Sequence, residues 1–162
     1  DMFLFSFYTR GMSFIDMAYL KKSDLKNGII TYRRRKTGQQ LTVKWEKCME
    51  DIIAKYGENT ATRYLLPIIT NPCSDERTQY RNAICRINVA LKEVAGLAGL
   101  NIPLTMHVAR HCWASVAKSK NIPLSVISEG MGHDSEETTR IYLASLDTSV
   151  VDKANSLILK DF

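Results

Sequence analysis

Three short stretches of the chain carry residues able to handle a phosphate. In Met106-His107-Val108-Ala109-Arg110-His111-Cys112-Trp113, His107 and Arg110 stand three apart, so on a helix they share a face. Arginine offers a planar fork of donors that suits phosphate, and imidazole exchanges a proton near neutral pH. Val108, Cys112 and Val116 give that helix an apolar row to bury, which leaves the His and Arg on another. A satisfied surface pair is the plain alternative. His107 and His111 have a metal-ligand spacing, but the zinc-protease pattern needs Glu after the first His, and Val108 stands there; no metal site is expected. The second stretch is Gly130-Met131-Gly132-His133, followed by Ser135 as a helix cap, which places His133 at a loop edge facing a cleft. Tyr142 lies nine residues beyond His133 and is one of seven tyrosines, so a core or surface role competes with that of nucleophile. The third stretch is Arg33-Arg34-Arg35-Lys36. On a regular strand three successive arginines alternate faces and do not all meet one phosphate, whereas Lys36 at the turn can reach into a groove. A solvated basic hairpin is the ordinary reading of the same residues.

These side chains need elements to hold them. Residues about 2 to 10 carry an apolar helical pattern that stops near Gly11. Ser13 caps a second helix, about 14 to 20, with Asp16 in its first turn. Gly28 to Arg35 is β-prone, Lys36-Thr37-Gly38-Gln39 is turn-like and Gln40 to Val43 returns, which predicts a hairpin. Trp45 to Tyr56 predicts a helix ending before Gly57, and Tyr64 to Pro67 a short extended piece. Ser74 caps a long helix, about 75 to 98, with Ile84, Ile87, Leu91, Val94 and Ala95 on one face and Gly96 and Gly99 at its end. Thr105 caps a helix from Met106 to about Ser119. Pro123 opens a short helix that stops near Gly130, and Ser135 caps one running to about Leu146. An amphipathic segment follows from Val150 to Leu159. The fold class is therefore mainly α with one small antiparallel β-sheet (α+β).

At 162 residues the chain suits one domain with its own core, and 45% apolar against 24% charged residues is an ordinary globular balance. No apolar run is long enough to span a bilayer, so no membrane partner is expected. Cys48, Cys73, Cys85 and Cys112 form no C-x-x-C pair and read as free thiols. The net charge of +5 and a pI of about 9.0 fit a polyanionic partner. Asp1 to Tyr8 begin inside an apolar helical pattern, which reads as a domain taken from a longer protein.

Order and spacing together resemble the tyrosine recombinase (phage integrase) family over nearly all of the chain. His107 to His111 matches the family's H-x-x-R-H. Met131-Gly132-His133 matches its L-G-H, followed nine residues on by Tyr142 in Thr138-Thr139-Arg140-Ile141-Tyr142. Lys36 in Arg34-Arg35-Lys36-Thr37-Gly38 matches its hairpin lysine. The wording from Arg10 to Leu20, R-G-M-S-F-x-D-M-A-Y-L, looks like integrases of conjugative or mobilisable transposons. One position departs. Setting Gly11, Asp16 and Leu20 on the family's G-L-R-x-x-E-L-x-x-L puts Ser13 where a catalytic arginine usually stands. Arg10, one helical turn away, is the first candidate to replace it. Arg34 or Arg35 on the hairpin are the others, and a weakened site is the third outcome.

The resemblance implies a single catalytic domain over residues 1–162, with an N-terminal DNA-gripping domain elsewhere in the protein. It implies that Tyr142 attacks a DNA phosphate and forms a 3′-phosphotyrosyl link. Lys36 is then the general acid for the leaving 5′-oxygen, and Arg110 the clamp on the non-bridging oxygens. His107 assists the tyrosine's proton transfer and His133 donates to a phosphate oxygen. Arg33, Arg34, Arg35, Lys36, His111 and Arg140 are the expected DNA-binding residues. No metal, nucleotide or other cofactor is implied. The partners would be double-stranded DNA, further copies in a homotetramer, and accessory DNA-bending proteins, in a bacterial cytoplasm. The implied role is integration or excision of a mobile element. A type IB topoisomerase-like relaxing enzyme, a catalytically impaired DNA-binding module and a helical domain that binds acidic protein are the alternatives. The segment from Val150 would dock on its own domain or on a neighbouring copy.

Overall fold

The computed structural model describes residues 1–57, 61–133 and 135–144, the side chains of Tyr142 and Ala144 excepted. Leu146 and the segment from Val150 to Leu159 lie outside the described residues. Helix α1 spans Met2–Tyr8 and ends in a sharp reversal, with Arg10 (φ 61°) and Gly11 (φ 74°) both left-handed. Ser13 then starts α2 (Phe14–Ala18) as the sequence predicts, its Oγ accepting from the Asp16 amide at 3.3 Å. After a 3₁₀ turn at Lys22–Asp24 come three strands, β1 (Leu25–Lys26), β2 (Ile29–Arg33) and β3 (Gln40–Lys44). They form one antiparallel sheet in the order β1-β2-β3, with Ile30 opposite Val43 and Tyr32 opposite Leu41. The predicted hairpin is β2–β3, and β1 is an addition to it. Period-two alternation buries Ile30, Tyr32, Leu41 and Val43 and leaves Thr31, Arg33 and Thr42 outside.

Five helices complete the described chain: α3 (Lys47–Ala54), α4 (Glu76–Leu97), α5 (Met106–Ser119), α6 (Leu124–Met131) and α7 (Glu136–Ala144). Among the described residues no helix is long and apolar enough to cross a membrane. The mainly helical fold with its small antiparallel sheet is the predicted class. Several local expectations shift. The cap of α4 is Asp75, which accepts from the Thr78 amide at 2.7 Å, while Ser74 takes a bond from the Asn71 side chain. A carboxylate is favoured there because it also meets the positive end of the helix. On the same helix Ile84, Ile87 and Leu91 pack against the core as expected, but Val94 is exposed. Helix α6 runs through Gly130 and stops at Gly132 instead.

Two cores share α5. The larger joins α1, α2, the sheet, α3, the Tyr64–Ile69 segment and the N-terminal parts of α4 and α5, with Phe5, Met17, Ile30, Tyr64 and Leu66 at its centre. The smaller joins the rest of α5 to α6 and α7 through Ala114, Ala117, Ile127, Met131 and Leu143. The buried row of α5 is Met106, Ala109, Arg110, Ala114 and Ala117, not Val108, Cys112 and Val116, of which Val116 is exposed. Small residues face inward because α1 and the turn after it press against α5. A methyl group added to Gly11 would stand 2.9 Å from the Arg110 Cα and 2.7 Å from its Cγ. Met106 thus serves one core, Ala114 and Ala117 the other, and Arg110 lies between them.

Gly11→Ala combines left-handed strain with a backbone collision, whereas Gly28 (φ 73°) has open space where its Cβ would go. Left-handed strain alone costs about 1–2 kcal/mol, and overpacking adds about 1–3 kcal/mol. Urea denaturation should therefore show Gly11→Ala clearly less stable than Gly28→Ala. Equal losses would mean that the contact between the turn and α5 is not tight.

Candidate active site

The chemistry-bearing residues converge on a cleft of about 300 Å³ lined by Arg34, Lys36, Thr37, His107, Arg110, His133 and Thr138. Three structural units supply them: the hairpin turn between β2 and β3, the first turns of α5, and the junction of α6 with α7. Arg110 is 6% exposed, so its charge must be satisfied from within. One terminal nitrogen donates to the Gly11 carbonyl at 2.8 Å. The other donates to the Met131 carbonyl at 2.6 Å and lies 3.0 Å from His133 Nε2. A guanidinium only donates, so Nε2 is the accepting nitrogen and the ring proton sits on Nδ1. That Nδ1 meets the hydroxyl of Thr139 at 2.7 Å, and Thr139 is fully buried on α7.

The loop carrying His133 is shaped by the end of α6. Gly132 takes φ 63°, its amide bonds to Glu129 O, and the His133 amide bonds to Ser128 O. This Schellman closure uses the amides and leaves the carbonyls of Met131 and Gly132 facing outward. Arg110 takes the first, and the Arg34 guanidinium takes the second. Cations are favoured at a helix C-terminus, so both arginines sit where the backbone carries partial negative charge. Gly132 also has the hairpin against it, since a Cβ there would be 2.8 Å from Leu41 Cδ1. The hairpin is held at the start of its turn as well. Arg35 N donates to Asp16 Oδ1 at 2.8 Å, and Ser13 Oγ donates to Asp16 Oδ2 at 2.6 Å.

The four basic hairpin residues separate as the strand period predicts. Arg34 is buried and faces the cleft, and Lys36 lines it from the turn. Arg33 and Arg35 line a cavity outside this cleft with Asp16, Tyr19 and Lys21, where the Arg35 guanidinium lies 3.9 Å from the Tyr19 ring centroid. Arg10 does not line the cleft. Its Cδ lies beside Gly130, 3.7 Å from where a Cβ on that residue would be. His111 packs edge-to-face on His107, with centroids 4.5 Å apart. Arg140 is exposed and lies 3.6 Å from Glu137. Tyr142 belongs to α7, and helical periodicity puts position 142 on the same face as Thr138, which lines the cleft. Tyr32 is close enough to feel Arg110, Arg34 and Arg10, but burial foremost, with Asp16 adding to it, pushes its hydroxyl far above the usual phenol range. It stays protonated. Thr37, Thr138, Thr139 and the anchoring role of Asp16 are additions to the sequence reading. Each carried a signal in the sequence: Asp16 and Thr37 as positions within the matched motifs, Thr138 and Thr139 as neighbours of Tyr142 on one helix.

A family model described as the phage integrase family matches residues 2–149. Among curated proteins none matches the chain. The solved structure of XerA recombinase is similar, with a TM-score of 0.69 at 21% identity, covering 96% of this chain and 56% of that one. XerH site-specific recombinase bound to a palindromic difH substrate, a post-cleavage complex, gives 0.66 at 19%, covering 96% and 44%. A lambda integrase dimer bound to a COC′ core site gives 0.58 at 17%, covering 87% and 50%. These likenesses show the shared fold, and the chain spans about half the length of the structures it resembles.

Burial first, then the charges of Arg110 and Lys36, hold the His107 imidazole below its ordinary 6.5. Neutral His107 at pH 7 follows. With the folded value below the unfolded one, the stability His107 contributes is present above the unfolded value and is lost as pH falls through the folded one. An NMR titration should place the His107 midpoint below 6.5, and Lys36→Met should move it upward. An unmoved midpoint would show that the Lys36 ammonium does not face the cleft.

Proposed function

The chain belongs to the phage integrase family, and from that premise we propose that it cuts and rejoins double-stranded DNA as the catalytic domain of a tyrosine site-specific recombinase. The observation that supports this best is the shared cleft, in which a buried arginine, two histidines and a hairpin lysine meet beside the helix bearing Tyr142. Spread over almost a hundred residues of sequence, they have one chemistry in common, that of a phosphodiester.

A phenol with its usual pKa near 10 is a poor nucleophile at pH 7 and needs its proton removed. In this reading neutral His107 accepts the Tyr142 proton as the tyrosine oxygen bonds to phosphorus. The bond from phosphorus to the 5′-oxygen breaks, and Lys36 gives that oxygen a proton. The 3′-phosphotyrosyl link keeps the ester's energy, so a 5′-hydroxyl from another strand reverses the step without ATP. Arg110 holds the non-bridging oxygens, and the carbonyls that fix its guanidinium make it a preorganised donor. His133 Nε2 lies against the Arg110 guanidinium and helps to align it, and the family resemblance gives His133 a hydrogen bond to a phosphate oxygen. Arg33, Arg35, His111 and Arg140 lie outside the cleft and would contact flanking DNA backbone, which positions without specifying sequence.

Several further readings rest on the family and its relatives. XerH and lambda integrase were solved on DNA, the latter as a dimer, which supports DNA as the ligand here. Residues 1–162 would be one catalytic domain of a longer bacterial cytoplasmic protein that acts on a mobile element. It would work as a homotetramer with accessory DNA-bending proteins.

The test is covalent trapping. The full-length protein is incubated with nicked suicide substrates carrying candidate element ends, beside Tyr142→Phe. A denaturant-resistant adduct that the substitution abolishes is expected. Arg110→Ala should cut adduct formation ~100- to 1,000-fold while DNA binding falls far less. Lys36→Ala should recover on a 5′-bridging phosphorothiolate, whose leaving group needs no proton. No adduct on a verified site would leave a DNA-binding module without the reaction.

A further inference from the structure

We infer that Arg34 is the second catalytic guanidinium of this site and binds a non-bridging phosphate oxygen beside Arg110. This rests on the recombinase reading above and fills the role that Ser13 leaves open. Ser13 is engaged elsewhere: it caps α2 and donates to Asp16. Arg34 lines the same cleft as Arg110, Lys36, His107 and His133, and is 9% exposed. Its guanidinium bonds to the Gly132 carbonyl, next along the chain from the Met131 carbonyl that holds Arg110. Adjacent carbonyls therefore hold two forks at one wall of the cleft. That one bond takes one of the five N–H groups an arginine carries, and a clamp needs the others for an anion.

The backbone around Arg34 is fixed on both sides. Arg34 N donates to Gln39 O at 2.8 Å, and Gly38 N donates to Arg34 O at 2.7 Å. The next amide, Arg35 N, is tied to Asp16 Oδ1. A donor held this way loses little freedom when it meets the transition state. Ser13 and Asp16 are then positioning residues. They aim the hairpin that supplies the charge in place of an arginine on α2. The other two candidates do not line the cleft: Arg35 stacks on Tyr19, and Arg10 has its Cδ beside Gly130.

A neutral substrate separates a charge clamp from a structural role. Suicide substrates are prepared with either a phosphate or a methylphosphonate at the scissile position, and adduct formation by the full-length protein is timed on both. Arg34→Ala should lose ~100- to 1,000-fold on phosphate and far less on methylphosphonate, which carries no negative oxygen to stabilise. Arg34→Lys should recover part of the phosphate rate, and Arg10→Ala should keep most of it. Equal losses of Arg34→Ala on both substrates, or wild-type rates on phosphate, would overturn the assignment while a working wild type keeps the recombinase reading. So would a phosphate-selective loss in Arg10→Ala. A wild type that forms no Tyr142-dependent adduct on a verified site overturns both.

Discussion

Two guanidinium groups rest on the consecutive carbonyls of Met131 and Gly132, and the geometry of the cleft depends on that contact. A helix end has outward carbonyls with no partner inside the helix. Here the Schellman closure turns its amides back into α6 and presents those carbonyls to α5 and to the hairpin. Each arginine thereby loses the penalty of a buried, unmatched charge, and the helix end loses that of unmatched acceptors. Gly132 is needed for this twice, for its left-handed backbone and for the approach of Leu41.

Around this contact the two cores act as supports. Helix α5 runs from one to the other, and Arg110 occupies the interval where neither core's apolar side chains fill the space. The turn at Gly11 closes that interval from the α1 side and supplies a third acceptor. Separate segments of chain thus hold one side chain, and its position is only as good as the packing of both cores. The hairpin is held at two points, at the start of its turn by Asp16 and against Gly132 by Leu41. Lys36 at its turn is consequently placed by contacts made elsewhere.

The role of Ser13 follows from the same wiring. Read as a position in a motif, it is a loss. Read in the fold, it is a helix cap that also orients Asp16, the carboxylate that anchors the hairpin next to Arg34. The charge near the cleft does not depend on α2 when the hairpin brings its own arginine to the wall.

Much of this was legible in one sequence. The bounds of α5, the Ser13 and Ser135 caps, the hairpin and the alternation of Arg33, Arg34 and Arg35 all follow from local rules, because caps, turns and strand period are set by near neighbours in the chain. The family was readable from His107, Arg110, His133, Lys36 and Tyr142 for the same reason: spacing along helices and turns survives in sequence. What only the tertiary structure decided concerns contacts between distant segments. The apolar row of Val108, Cys112 and Val116 gave way to Ala109 and Ala114, because the closeness of α1 to α5 favours small side chains and no local pattern encodes that distance. Likewise, nothing near Arg34 in the chain says that its neighbour is Gly132, ninety-eight residues away. Local propensity states which way a side chain leaves its own element, and the packing of elements states what it meets.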